Sequence, residues 1–237
     1  MNDPHIASAF DRDLEALQAN IMKMGGLVEA AILNAARALT ERDTELAEDV
    51  RIGDTAVDAL EDLINEDAAR IIAMRQPVSS DLRIVLTVMK VSGNLERIGD
   101  YAKNIAKRTL VLAENGPISG SDKALRRMAR EVEAMLRDVL DAFTQRDPAL
   151  AGDVRERDES IDQMYNALFR EFLTYMMEDP RHITACMHMH FIAKNLERMG
   201  DHTTNIAEEV IYLVTGEHPE DMRPKGDTAP GIERAGA

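Results

Sequence analysis

The 237-residue chain holds 43 acidic against 28 basic residues, a formal net charge of -15. Such a field repels nucleic acid and anionic lipid headgroups and favours cations and basic protein surfaces as partners. Aromatic residues make up only 4%, with no Trp and 14 Met, which excludes an aromatic-rich β-sandwich and leaves a core of Leu, Ile, Val, Met and Ala, most of them helix formers.

The single cysteine, Cys186, excludes an internal disulfide, fits a reducing compartment and reads as a small helix hydrophobe. Acids at Asp3, Asp11, Asp13 and Glu15 argue against a signal peptide. The most apolar stretch, residues 84–91, is interrupted by Lys90 and is far short of the roughly 20 residues that cross a bilayer, so no membrane insertion is expected.

From Phe10 the apolar residues run Phe10, Leu14, Leu17, Ile21, Met24, Val28, Ala31, Ala35 and Ala38 in alternating steps of four and three. This heptad seam predicts a helix roughly 45 Å long at about 1.5 Å per residue, suited to an elongated bundle. It ends near Asp43, which can cap a second helix carrying Val57, Leu60, Ile64 and Ile71 and stopping before Pro77. Ser79 or Ser80 is placed to cap a third helix, with Val85, Val88, Leu95, Ile98, Ala102, Ile105 and Leu112, that stops at Asn115-Gly116-Pro117. Short turns between three helices imply an up-down-up bundle.

The pattern restarts after a linker at 116–122. A fourth helix shows Leu125, Met128, Val132, Met135, Val139 and Ala142, and Asp147-Pro148 supplies a cap followed by a helix-starting proline. The fifth, with Val154, Ile161, Met164, Leu168 and Tyr175, ends at Asp179-Pro180. The sixth, with Met189, Ile192, Leu196, Met199, Ile206, Val210 and Leu213, frays near Gly216. Residues 216–237 lack periodicity and read as a mobile tail. The fold class is therefore all-α, two tandem three-helix bundles over 6–115 and 121–215. Met22, Met24, Met176, Met177, Met187 and Met189 recur at helical spacing and read as core filler.

The halves are duplicates. Leu39-Thr-Glu-Arg-Asp43 aligns with Phe143-Thr-Gln-Arg-Asp147, and Asp54 and Asp58 align with Asp158 and Asp162, at an offset of 104. In the third helices the offset is 101, where Asn94-Leu-Glu-Arg-Ile-Gly-Asp100 with Asn104-Ile-Ala106 meets Asn195-Leu-Glu-Arg-Met-Gly-Asp201 with Asn205-Ile-Ala207. Nine of those thirteen positions match, too many for chance.

Glu96 and Asp100, like Glu197 and Asp201, are four residues apart and share one helical face, where two carboxylates can grip a hard cation. About eight such acid pairs arise by accident in a chain this acidic, so the repeated surroundings carry the specificity. Heptad positions b and f send these carboxylates away from the core, and the bland reading is a solvated face paired with Arg97 and Arg198. Gly99 and Gly200 each cost about 1 kcal/mol mid-helix relative to Ala, which implies a close approach to the backbone there. The duplicated pairs Asp54/Asp58 and Asp158/Asp162 are expected to face the motif helices, against the alternative of inter-helix salt bridges. The first copy runs along Lys103 and Lys107 where the second has Thr204 and Glu208. The second is thus the better cation trap, with His190 weighed as an added ligand against a packing role.

These two units, each closing with Asn-Leu-Glu-Arg-(Ile/Met)-Gly-Asp and Asn-Ile-Ala, resemble the PhoU family over residues 8–215, and Asp81-Leu-Arg83 after Pro77 resembles that family's turn before its third helix. The resemblance implies a cytoplasmic, non-enzymatic negative regulator of the phosphate-starvation response and of phosphate uptake. Such a protein acts as a homodimeric adaptor between the ATPase of a phosphate ABC transporter and a sensor histidine kinase. It also implies metal binding through Glu/Asp-x-x-x-Asp motifs, here Glu96, Asp100, Glu197 and Asp201, with Glu208 matching an acid that the family often carries after Asn-Ile-Ala. Asp54, Asp58, Asp158 and Asp162 are further candidate ligands, for Mg, Mn, Fe or Zn. Lys107 in place of that acid is a departure that weakens the first site. A metal-free coiled-coil adaptor and a carboxylate di-iron enzyme are the alternatives; the latter needs Glu-x-x-His pairs, and the sequence has none.

Overall fold

The structure, a computed structural model, describes residues 4–114 and 121–219, with side chains from residue 10 onward. Six α-helices follow one another: α1 (Pro4–Glu41), α2 (Thr44–Arg75), α3 (Ser80–Ala113), α4 (Ser121–Gln145), α5 (Pro148–Glu178) and α6 (Ile183–Thr215), with a 3-10 turn at Pro180–His182 before α6. No strand occurs among the described residues. The expected linker falls largely on 115–120, outside the described residues, and α4 begins at Ser121. Of the expected tail, 220–237 lies outside them as well.

The heptad seams become the core. Leu17, Ile21, Met24, Val28, Ala35 and Ala38 of α1 are buried, as are Leu125, Met128, Val132, Met135 and Val139 of α4. Cys186 is buried too. Within each unit the three helices pack on one another, and the units join through α1 on α4 and α3 on α6 into one continuous core. The consequence for the site is that α3 is flanked by α1, α2 and α6.

The helix boundaries follow local chemistry. The Asp43 carboxylate accepts the Leu46 N–H at 2.9 Å, and the Asp147 carboxylate accepts those of Ala149 (2.9 Å) and Leu150 (3.1 Å), satisfying donors that the first turn leaves free. Arg42 and Arg146, the residues before those caps, both adopt φ 55°, so the two-residue turns are duplicated in backbone as in sequence. Gly216, at φ 85°, closes α6 with its N–H on the Tyr212 carbonyl. Ser79 stands at the N-cap of α3 at φ 52°, outside the extended backbone usual for a capping residue, and its side chain makes no capping bond.

The methionines divide. Met24 and Met189 are buried and Met176 is half-buried, whereas Met22, Met187 and above all Met177, at 85% exposure, face solvent. Met22 lies at the edge of the α1–α4 contact, where its sulfur accepts from the Thr144 hydroxyl at 3.2 Å, and none of the three belongs to the buried seam.

Asp147→Ala is expected to lower stability by about 1 kcal/mol, whereas Ser79→Ala, which loses no capping bond, is expected to leave it nearly unchanged. Urea unfolding of the two variants checks the contrast.

Candidate functional site

In each unit the second and third helices approach closely at the motif glycine. A Cβ on Gly99 would stand 3.3 Å from both Asp54 Oδ1 and Val57 Cγ1; one on Gly200 would stand 3.1 Å from Asp158 Oδ1 and 3.3 Å from Ile161 Cγ2. The expected close approach is real, and what approaches is the first acid of the second duplicated pair. Asp54 and Asp158 are buried at 5% and 6% exposure.

The motif carboxylates are not on an outer face. Side-chain exposure is 19% for Glu96, 33% for Asp100 and 13% for Glu197. With three neighbouring helices around α3 and three around α6, positions b and f open onto the groove shared with α2 or α5 instead of onto solvent. Acids from both helices thereby converge: Asp54, Asp58 and Glu61 with Glu96 and Asp100 in the first unit, Asp158 and Asp162 with Glu197 and Asp201 in the second.

Crowding and burial raise the pKa of three of these acids. Glu96 is pushed up to about 7, first by burial and then by Asp100 and Glu61, with Arg97 opposing. Asp58 is raised by burial and by Asp54, with Lys103 opposing. Glu197 is raised by burial, with Asp201 and Asp162 adding to it, against the hydrogen bond and charge of Lys194.

The two clusters are balanced differently. In the first, Lys103 Nζ lies 2.5 Å from Asp54 Oδ2 and 3.4 Å from Asp100 Oδ1, and Arg97 lies 3.4 Å from Glu96 and 3.9 Å from Asp100. A tethered ammonium thus stands between the acids of α2 and α3. Lys107 stays exposed. In the second, the counterpart of Lys103 is Thr204, whose hydroxyl is buried and donates to the Gly200 carbonyl. Lys194 binds Glu197 at 2.6 Å, Arg155 reaches Glu208 at 3.5 Å, and Glu197 Oε2 is buried without a hydrogen-bond partner among the described residues.

His190 does not join the acids. Its ring packs 5.3 Å from Phe169 and 5.8 Å from both Tyr165 and Phe191, and burial lowers its pKa. The motif asparagine and its flank hold the units together. Asn94 Oδ1 accepts from Asn205 Nδ2 at 3.3 Å and lies 2.8 Å from His202 Nδ1. His202 meets its duplicate Tyr101 with ring centroids 5.6 Å apart, and Arg198 hydrogen-bonds Tyr101 while its charge also acts on Glu197 and Asp201. Sequence reasoning missed this seam and the Lys103–Asp54 link; the exchange of Lys103 for Thr204 was the available signal for the second.

The second set has Thr204 where the first has Lys103 and keeps Lys194 on one Glu197 oxygen, while the other, Oε2, is buried without a partner among the described residues and offers a hard cation a donor. The second cluster fits a metal on both grounds, and the first does not, because Lys103 supplies the countercharge. As the side chains stand, no three His, Cys, Asp or Glu among the described residues form a metal cage.

The PhoU domain model matches residues 21–109 and again 125–210. The chain belongs to the PhoU family. A phosphate-specific transport system accessory protein PhoU homolog of Rhizobium meliloti is 47% identical over 227 residues, 96% of each chain. One of Zymomonas mobilis is 49% identical over 93% of each. The crystal structure of PhoU from Pseudomonas aeruginosa is similar at TM-score 0.85 and 41% identity, covering 88% of this chain and all of that one. That of the phosphate transport system regulatory protein PhoU from Streptococcus pneumoniae gives TM-score 0.82 and 34% identity, over 89% and 99%. These relatives are an accessory protein and a regulatory protein of phosphate transport systems.

In chelator-treated protein, Glu96→Gln is expected to raise the melting temperature at pH 8 and to leave it unchanged near pH 4. Its folded pKa lies above the ordinary value of 4.5, so the wild type pays for ionising Glu96 increasingly between pH 4.5 and about 7 and fully above that. Calorimetry across that range reads the effect.

Proposed function

We propose that the chain is the accessory protein of a phosphate transport system. In this reading it is a cytoplasmic, homodimeric adaptor that restrains phosphate uptake and the phosphate-starvation response. Its partners are the ATPase of a phosphate ABC transporter and a sensor histidine kinase. The observation that carries the reading is the family domain found twice in register, with nearly half of all residues shared with named phosphate-transport accessory proteins. Consistent with an adaptor, no helix among the described residues is long and apolar enough to cross a membrane.

The acidic clusters give the adaptor its electrostatics. In the second, Asp158, Asp162, Glu197 and Asp201 would hold a cation, with Glu208, held by Arg155, as a further donor. The ion supplies positive charge that lets buried carboxylates stay ionised; Mg, Mn, Fe and Zn all accept such oxygens. In the first, Asp54, Asp58, Glu96 and Asp100 are proposed as a cluster served by Lys103, in which a metal has to displace an ammonium. The metal-free adaptor is the rival, and the di-iron reading loses support because the sequence has no Glu-x-x-His pair and His190 packs on aromatics.

Elemental analysis of purified protein is expected to find metal in the wild type and to lose it in Glu197→Ala/Asp201→Ala. The same variant is expected to weaken capture of the sensor kinase and to relieve repression. Wild type free of metal would favour the rival, and unchanged binding and repression in the variant would remove the motif from the mechanism.

A further inference from the structure

A second charged surface has the opposite sign. On a chain of net charge -15, α4 places four cations within eight residues, Lys123, Arg126, Arg127 and Arg130. Their spacing of i, i+3, i+4 and i+7 puts them on one helical face. Lys123, Arg127 and Arg130 are exposed and Arg126 half-buried, and among the described residues none of the four forms an ion pair. All four line a groove of about 520 Å³ that reaches Thr40 on α1. The acid at its edge, Glu131, is approached at 3.9 Å by Arg157 from α5. Arg127 also lines a second groove of about 450 Å³, between α4 and α5, so it forms the ridge between two adjoining depressions.

The duplication supplies an internal control. At the same offset of 104, α1 carries Ala19, Met22, Lys23 and Gly26, one cation where α4 has four. The bundle therefore folds without this stripe, and packing does not account for it. Exposed like charges at i,i+4 spacing destabilise a helix slightly, which leaves a ligand as the gain. Three guanidiniums favour carboxylate groups that accept paired N–H bonds.

We propose that this face of α4 is the docking surface for an acidic helical segment of a partner protein. Charge complementarity names the chemistry. The grooved shape favours a narrow segment over a bilayer, because a flat anionic membrane would meet the acid-rich remainder of the surface as well. The inference rests on the adaptor reading above and deepens it: one partner is recognised through its acids.

Two measurements on the full chain test it. The first uses a labelled synthetic helical peptide with Glu at i, i+3, i+4 and i+7 and a control with Gln at those places. Wild type is expected to bind the Glu peptide, with affinity falling as salt rises, and Lys123→Gln/Arg126→Gln/Arg127→Gln/Arg130→Gln to weaken it by about tenfold or more. Lys23→Gln, at the matching place in α1, is expected to change nothing. Arg127→Gln/Arg130→Gln, at two exposed positions, serves if the fourfold variant loses its helical circular dichroism. Equal affinity for the Glu and Gln peptides, unchanged affinity in the variants, or binding confined to phosphatidylglycerol vesicles would overturn the proposal. The second measures capture of the transporter ATPase and of the kinase's soluble portion by wild type and variant. Loss of one partner in the variant supports the docking surface, and retention of both overturns it. If wild type captures neither, the adaptor reading fails while the peptide measurement still decides on the surface.

Discussion

A carboxylate enclosed between two helices has to be neutralised, and that requirement organises each half of this molecule. The glycine in the motif lets the second and third helices of a unit come close enough for Asp54 or Asp158 to sit against the backbone of the neighbouring helix. Once the acid is there, solvent cannot serve it well, and a positive charge must. Lys103 answers in the first unit. In the second, Thr204 holds the equivalent place and turns its hydroxyl to its own helix. The same backbone thus poses one electrostatic problem twice, with a different residue set opposite it in each copy.

Duplication also explains why the motif contains residues that have no part in charge. Asn94 joins the units through His202 and Asn205, and Tyr101 meets its own duplicate, ring tilted against ring, across the seam. Asp100 and Asp201 immediately precede Tyr101 and His202 in the chain. The acidic groove and the contact between units are therefore built on successive residues of one helix, facing different neighbours.

The helices, their order, the duplication and most of the core were readable from periodicity, because a heptad seam encodes burial directly. Asp43 and Asp147 announced their caps through residue type. The position of the acids was not readable in the same way. A heptad names the side of a helix that meets one partner, whereas α3 and α6 each have three, so Glu96 and Glu197 entered a groove that a two-partner scheme leaves open to water. His190 was ambiguous for a related reason: only the tertiary packing brings Tyr165 and Phe169 of α5 against it. The glycines were the better guide, since their cost in a helix demanded a close neighbour.

The two-residue turns at Arg42-Asp43 and Arg146-Asp147 bear on how the chain assembles. They pair each long helix with the next in sequence, so much of the packing inside a unit has low contact order and forms quickly. Joining α1 to α4 and α3 to α6 closes loops of about a hundred residues and carries the larger entropic cost. During synthesis the first unit is therefore complete before its partner exists, with the flanks of α1 and α3 that will later meet α4 and α6 still bare, and the second unit condenses onto a template that shares its own shape.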